Sequence, residues 1–217
     1  MDTSELIQQL AGKATPIRRL PLPWQRAAVW FAISLPYVAV IALWQPTSLV
    51  LSQIADSRFV IEEIAAFATA MTAVFAAFWS IVPGYNRKLL LLPLIPLAVW
   101  LGTLGEGCLH DWIRLGSAGL ELRIDWECLP AASIIGIVPA IAIVVMLRRG
   151  APLFPRATLA LAALAVAALA NFALRLHHLG DVSIMILAWH FGSVALLAII
   201  GGLIGRQILN WRHIKAV

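Results

Sequence analysis

Residues 64–82, IAAFATAMTAVFAAFWSIV, decide the fold, because they are 19 consecutive residues without a charged side chain. A helix needs roughly 20 apolar residues to cross the hydrocarbon core of a bilayer, so this stretch predicts a transmembrane helix. Of the 217 residues, 61% are hydrophobic and 12% are charged. Soluble domains carry about 25% charged residues, so we expect lipid to be the solvent for much of this chain.

Five further segments share this character, and together the six predict an all-α, polytopic membrane protein, a bundle of six transmembrane helices. The segments run over about 26–45, 59–82, 89–105, 129–147, 157–175 and 183–205. The third segment is short, and its Pro93 and Pro96 would leave helix carbonyls in need of other partners. This interpretation divides the chain into an N-terminal segment, 1–23, and a transmembrane domain, 24–217.

The charged residues divide between the two sides that six spans would create. Twelve of the 16 basic residues fall on the side of both termini, and nine of the 11 acidic residues fall on the other side. An excess of Lys and Arg in short loops marks the cytoplasmic side, so we predict that both termini are cytoplasmic. The net charge of +5 is then a signal of topology and not of direct nucleic-acid binding.

The predicted outer loop, 106–128, contains much of the reactive chemistry of the chain. Cys108 and Cys128 flank this loop, and His110 and Asp111 lie close to the first cysteine. An oxidising outer compartment allows disulfides to persist, while Cys, His and Asp can also bind metal ions. The residues leave three alternatives open: a structural disulfide, a thiol pair that senses oxidant or metal, and two unpaired thiols.

Three more histidines lie on or near the outer side. His177 and His178 fall in the next outer loop, where they could complete a metal site. His190 lies about seven residues into the sixth segment, which is roughly 10 Å below the surface at 1.5 Å per residue. An ionisable group at that depth indicates either a functional site or a neutral imidazole that bonds a neighbouring helix.

The N-terminal segment predicts a short cytoplasmic amphipathic helix. Asp2 and Glu5 have the spacing of a capping box, and Gly12 favours a helix end. Leu6, Ile7 and Leu10 fall on one face of that helix. Isolated helices of this length are marginal in water, so the segment is expected to lie on a membrane or to fold on a partner.

The order of several motifs along the chain resembles the NrsF family, which are six-helix anti-sigma factors of the bacterial inner membrane. The motifs are DTSELIQQLAGKATPIRRL (2–20), DSRFVIEE (56–63), VPG (82–84), LGEGCLHDW (104–112), WEC (126–128), RRGAPLFPR (148–156) and AWH (188–190). The resemblance implies a protein without catalytic activity that holds an extracytoplasmic-function sigma factor at the membrane. It assigns the contact face to Leu6, Ile7 and Leu10, with help from Arg18 and Arg19, and it assigns stress sensing to the outer cysteines.

Other functions remain as alternatives at this point. A small membrane transporter or a metal-binding membrane protein would use His190 and the outer Cys and His residues, and a thiol oxidoreductase would use the two cysteines. The sequence shows no repeated halves with interrupted helices and no C-x-x-C. No cofactor is expected apart from a metal ion. The Gly201 and Gly205 spacing leaves open a homodimer or packing within one chain.

Overall fold

The computed structural model describes residues 2–12, 20–42, 56–116, 128–150, 154–175 and 192–209, and the regular structure in these ranges is helical. The helices are α1 (Thr3–Gly12), α2 (Pro23–Ala42), α3 (Ser57–Trp79), a 3₁₀ helix (Arg87–Leu91), α4 (Leu94–Leu115), α5 (Cys128–Arg148), α6 (Pro155–Arg175) and α7 (Gly192–Ile208). The predicted all-α class is confirmed for this part of the chain. Helices α2 to α7 correspond in order to the six apolar segments.

Successive helices of the bundle alternate in direction. At one end of the bundle lie the start of α2, the end of α3, the end of α5, the start of α6 and the end of α7. Three hydrogen bonds between helices define this end: Arg26 to the Met146 carbonyl, Ser80 with Thr158, and Arg148 to the Ile208 carbonyl. The 3₁₀ helix lies there too, because the Arg87 guanidinium stacks over the Phe154 ring.

The two ends of the bundle carry opposite charge. We call the end just described the basic end; its described basic residues are Arg26, Arg87, Lys88, Arg148, Arg149 and Arg156. At the opposite end, which we call the acidic end, lie the start of α3, the end of α4 and the end of α6. Its described charged residues are the acids Asp56, Glu62, Glu63 and Glu106 and the bases Arg58, Arg114 and Arg175. The charge division predicted from the sequence is therefore a property of the folded bundle.

Four helical stretches are long and apolar enough to cross a membrane: Pro23–Ile41, Ser57–Trp79, Arg87–Arg114 and Pro155–Arg175. Ser133–Arg148 and Ala195–Gly205 are shorter apolar helices. Membrane association is thus supported, whereas the predicted count of six spans is not confirmed. The predicted sixth segment began at 183, and residues 183–191 lie outside the described part of the chain.

The third apolar segment differs most from its prediction. Pro93 is the N-cap of α4 and Pro96 lies in the first turn, where the missing amide hydrogen is not needed for helix bonding. The helix then continues ten residues past the predicted end at 105 and stops at Gly116, whose φ of 61° suits glycine. The predicted outer loop is therefore helical from 106 to Leu115. The end of an apolar segment in the sequence therefore does not mark the end of the helix that contains it.

Small residues set the spacing between α6 and its neighbours. Fully buried alanines on α3 and α6, such as Ala73 and Ala165, allow close backbone approach. On α7, a Cβ added at Gly201 would lie 3.2 Å from the Ala163 Cβ, and one added at Gly205 would lie 2.5 Å from the Pro155 carbonyl oxygen. The glycine spacing on α7 is therefore used for packing within one chain.

Candidate functional site

Helix α1 runs from Thr3 to Gly12, close to the bounds that the sequence predicts, and it stays outside the bundle. The Ser4 hydroxyl donates to Asp2 Oδ2 at 2.6 Å, and the Leu6 amide donates to the Asp2 carbonyl oxygen at 3.1 Å. The Ser4 bond, together with the backbone amides of Thr3 and Ser4, lowers the pKa of the Asp2 carboxyl. An ionised group at this position also complements the positive end of the helix dipole.

The apolar face of α1 is exposed. Leu6, Ile7 and Leu10 are 42%, 62% and 63% exposed, and no residue of α1 is buried. These three side chains form one patch, because residues three and four apart are neighbours on a helix. Arg18 and Arg19, which the sequence analysis added to this face, lie outside the described residues.

The outer-side residues do not form a single cluster in the described part of the chain. Cys108 follows Trp100 and Leu104 at intervals of four, on the stripe of α4 that faces the bundle, and it is half-buried. His110 is exposed. Positions two apart on a helix do not face each other, so Cys108 and His110 are not arranged to bind one metal ion together.

The remaining predicted ligands are untested. Asp111 lies on α4 and Cys128 opens α5, but their side chains are outside the described set, as are all atoms of His177, His178 and His190. Among the described residues, no group of three or more His, Cys, Asp or Glu side chains could hold a metal ion. Pairing of Cys108 with Cys128 therefore stays a prediction.

The acidic end contains a buried ion cluster that the sequence analysis missed. Glu62 is 1% exposed and accepts from two arginines: Arg58 Nε lies 3.2 Å from Oε1, and Arg175 contacts Oε2. Arg175 Nε also lies 3.8 Å from Glu63 Oε1, and its guanidinium stacks over the Phe59 ring at 5.5 Å. The cluster joins α3 to α6.

The two glutamates of this cluster do not cap α3. The side chain that caps α3 is Asp56, which accepts from the Arg58 amide at 3.0 Å. Glu62 and Glu63 lie in the second turn and point into the bundle. The Arg58–Glu62 spacing of four was a local signal, but Arg175 is 113 residues away from Glu62 in sequence. A single sequence gives no sign of such a partner.

The fold and the exposed helix together define a class of protein. The described part of the chain is a bundle of apolar helices with a buried ion cluster at its acidic end, and one short helix with an exposed apolar face lies outside the bundle. No arrangement of nucleophile and base emerges from the described side chains.

The family comparison gives this class a specific identity. The chain matches the family described as NrsF, negative regulator of sigma F, over residues 10–211, and it belongs to that family. Neither the curated proteins nor the solved structures contain a match to it. The family description is that of a regulator with a sigma factor as its partner. The matched region includes Leu10 and begins after Leu6 and Ile7.

Proposed function

We propose that this protein is an anti-sigma factor of the bacterial inner membrane that holds an extracytoplasmic-function sigma factor through α1. Retained at the membrane in this way, the sigma factor cannot reach RNA polymerase. Release follows an envelope stress that the outer-face residues sense. The family membership supports regulation of a sigma factor, and the finer statements rest on the geometry of the ends of the bundle.

The observation that carries this proposal is the exposed apolar face of α1. A ten-residue helix with three large apolar side chains in solvent is marginally stable alone, so it gains stability when a partner covers that face. Amphipathic helices bind proteins by placing such a face in an apolar groove. Covering Leu6 and Leu10 is worth about 1.5–3 kcal/mol each, which is enough to dominate a small interface.

The proposed orientation rests on the charge of the two ends. If α2 to α7 all span the membrane, their alternating directions put both termini at the basic end. Lys and Arg are enriched on the cytoplasmic side of membrane proteins, so α1 would lie in the cytoplasm, where a sigma factor is found. Cys108 and Cys128 would then lie toward the oxidising outer side, as a redox or metal signal requires.

A pull-down from detergent-solubilised membranes tests the contact. We expect the wild-type chain to retain the sigma factor. The Leu6→Asp/Leu10→Asp variant should bind it at least a hundredfold more weakly, since two buried leucines are worth roughly 3–6 kcal/mol. Gln8→Asp is the matched control, because Gln8 lies on the opposite face of α1 and its new charge should leave binding unchanged.

The outcomes separate the site from the family role. Equal retention by wild type and the double variant would reject α1 as the contact, while leaving a sigma factor as the partner. Loss of binding in the Gln8→Asp control would show that sigma-factor binding depends on the helix as a whole and not on its apolar face. Retention of no sigma factor by any form would reject the sequestration mechanism itself.

A further inference from the structure

Arg26 is a charged residue buried at the basic end. Its residue surface is 5% exposed, and it lies in the first turn of α2, within the candidate span Pro23–Ile41. The guanidinium stacks over the Phe78 ring with 4.6 Å to the ring centroid, and one of its nitrogens donates to the Met146 carbonyl oxygen. These contacts fix the orientation of the guanidinium without neutralising its charge.

Within the described part of the chain, the surroundings of Arg26 add positive charge and supply no carboxylate. Arg149 lies near enough for its charge to repel that of Arg26. The ion pairs among the described residues join Arg58 and Arg175 to the glutamates of the acidic end. The sequence has no Asp or Glu between Glu5 and Asp56, so the side-chain acids that six spans would place on this side are Asp2 and Glu5 of the exposed α1.

A buried charge without a counter-charge is costly, so proteins pair such groups. The basic end lacks a paired anion for Arg26 within the described residues, and the missing charge must come from outside them. Guanidinium groups fit phosphate well, because the planar fork of N–H donors can bind two oxygens at once. The anionic lipids of an inner leaflet carry phosphate at the depth of a helix end.

Exposed apolar side chains follow Arg26 along α2 and are also present on α5. Val29 and Ile33 follow Arg26 at three and seven positions along α2, and they are 51% and 44% exposed. Ile141 and Val145 are similarly exposed on α5, which contacts α2 through the Arg26–Met146 bond. A phosphate at Arg26 would thus have hydrocarbon-compatible surface beside it, where acyl chains can lie.

We propose that Arg26, with Arg149 beside it, binds the phosphate of an anionic phospholipid whose acyl chains cover Val29, Ile33, Ile141 and Val145. A carboxylate of a cytoplasmic protein is the less suitable anion, because Arg26 lies inside the candidate span and a soluble partner would have to enter the bilayer. This site requires that the protein is in a membrane, and it does not depend on the sigma-binding role of α1.

The test uses the full chain in a neutral detergent, with lipid adducts followed by native mass spectrometry. Phosphatidylglycerol should remain bound to the wild type, while phosphatidylcholine and inorganic phosphate should not. Arg26→Gln should weaken phosphatidylglycerol binding about tenfold or more, which corresponds to about 1.4 kcal/mol. Arg114→Gln is the matched control, because this exposed arginine lies at the acidic end and should leave lipid binding unchanged.

A second variant keeps the test decisive if Arg26→Gln does not fold. Arg149→Glu changes an exposed residue and supplies an internal carboxylate near Arg26, so it should reduce phosphatidylglycerol binding while preserving the fold. Equal binding of phosphatidylglycerol by wild type and this variant would overturn the proposal, as would equal binding of phosphatidylglycerol and phosphatidylcholine by the wild type. Equal binding of inorganic phosphate would assign a small-anion site instead. If Arg26→Gln lost the sigma factor while the wild type bound no lipid, the anion that pairs with Arg26 would belong to the protein partner, and the proposal would be overturned.

Discussion

Replacing Arg175 with Met should cause a large loss of stability, because it removes one of two cations from a buried carboxylate. Glu62 has a side chain that is 2% exposed, and it would keep only Arg58 as its partner. Glu63 would lose its ion pair with Arg175 as well, and its Oε2 already has no hydrogen-bond partner among the described residues. Removing one member of a buried ion pair costs about 3–5 kcal/mol.

The lower end of that range applies here, because the Arg175 side chain is 17% exposed and Arg58 remains in place. A loss of about 3 kcal/mol lowers Tm by roughly 6–12 °C in a chain of this size. Thermal unfolding of the detergent-solubilised protein, followed by tryptophan fluorescence, measures this shift. Arg114→Met is the matched control at the same end, where an exposed arginine should change stability by less than about 0.5 kcal/mol.

Two outcomes would refute this reasoning. The first is an Arg175→Met variant that unfolds no earlier than Arg114→Met, since Glu62 would then not need its second cation. The second concerns Glu62→Leu/Arg175→Met, in which the buried charge and its partner both become apolar. Such replacements are often neutral or stabilising, so the double variant should unfold above Arg175→Met. A double variant that is less stable than Arg175→Met would show that packing, and not charge, dominates this contact.

Two further predictions concern helix packing and topology. Gly205→Ala should destabilise the α6–α7 contact by about 1–3 kcal/mol in thermal unfolding, because its new Cβ meets backbone atoms of α6, whereas Gly202→Ala has ordinary van der Waals room and should be near neutral. With Cys108 and Cys128 both replaced by Ser, a membrane-impermeant maleimide should leave Ser4→Cys unlabelled in intact cells and label it after lysis, if α1 is cytoplasmic. Labelling of this variant in intact cells would place α1 outside and contradict the proposed orientation.

The sequence alone predicts the elements that depend on composition and local pattern. The apolar segments correspond to α2–α7, and the cap at Asp2 and the end at Gly12 both appear in α1. Charge placement was predictable too, because the rule relating Lys and Arg to the membrane is a count along the chain. These features require no knowledge of which helices touch.

Features that depend on contacts between distant segments could not be predicted in this way. The end of α4 was placed ten residues too early, since the helix continues through the polar residues after 105. The environment of Glu62 depends on Arg175, and that of Arg26 depends on Phe78 and Met146. The local sequence around a charged residue near a helix start is the same whether its side chain faces water or a buried partner from a distant segment.

The contacts also limit how the two ends of the bundle can influence each other. Helices α3 and α6 are joined at the acidic end by the Glu62–Arg175 pair and at the basic end by Ser80 and Thr158, so sliding one along the other would break both contacts. In an apolar 18-residue stretch of each candidate span, the buried share is 56% for α3 and 61% for α6, whereas it is 17% for the span that includes α4. Displacing α4 would therefore disrupt fewer buried contacts than displacing α3 or α6. Cys108 lies on α4, so a chemical change at this cysteine acts on one of the less constrained helices in the described part of the bundle.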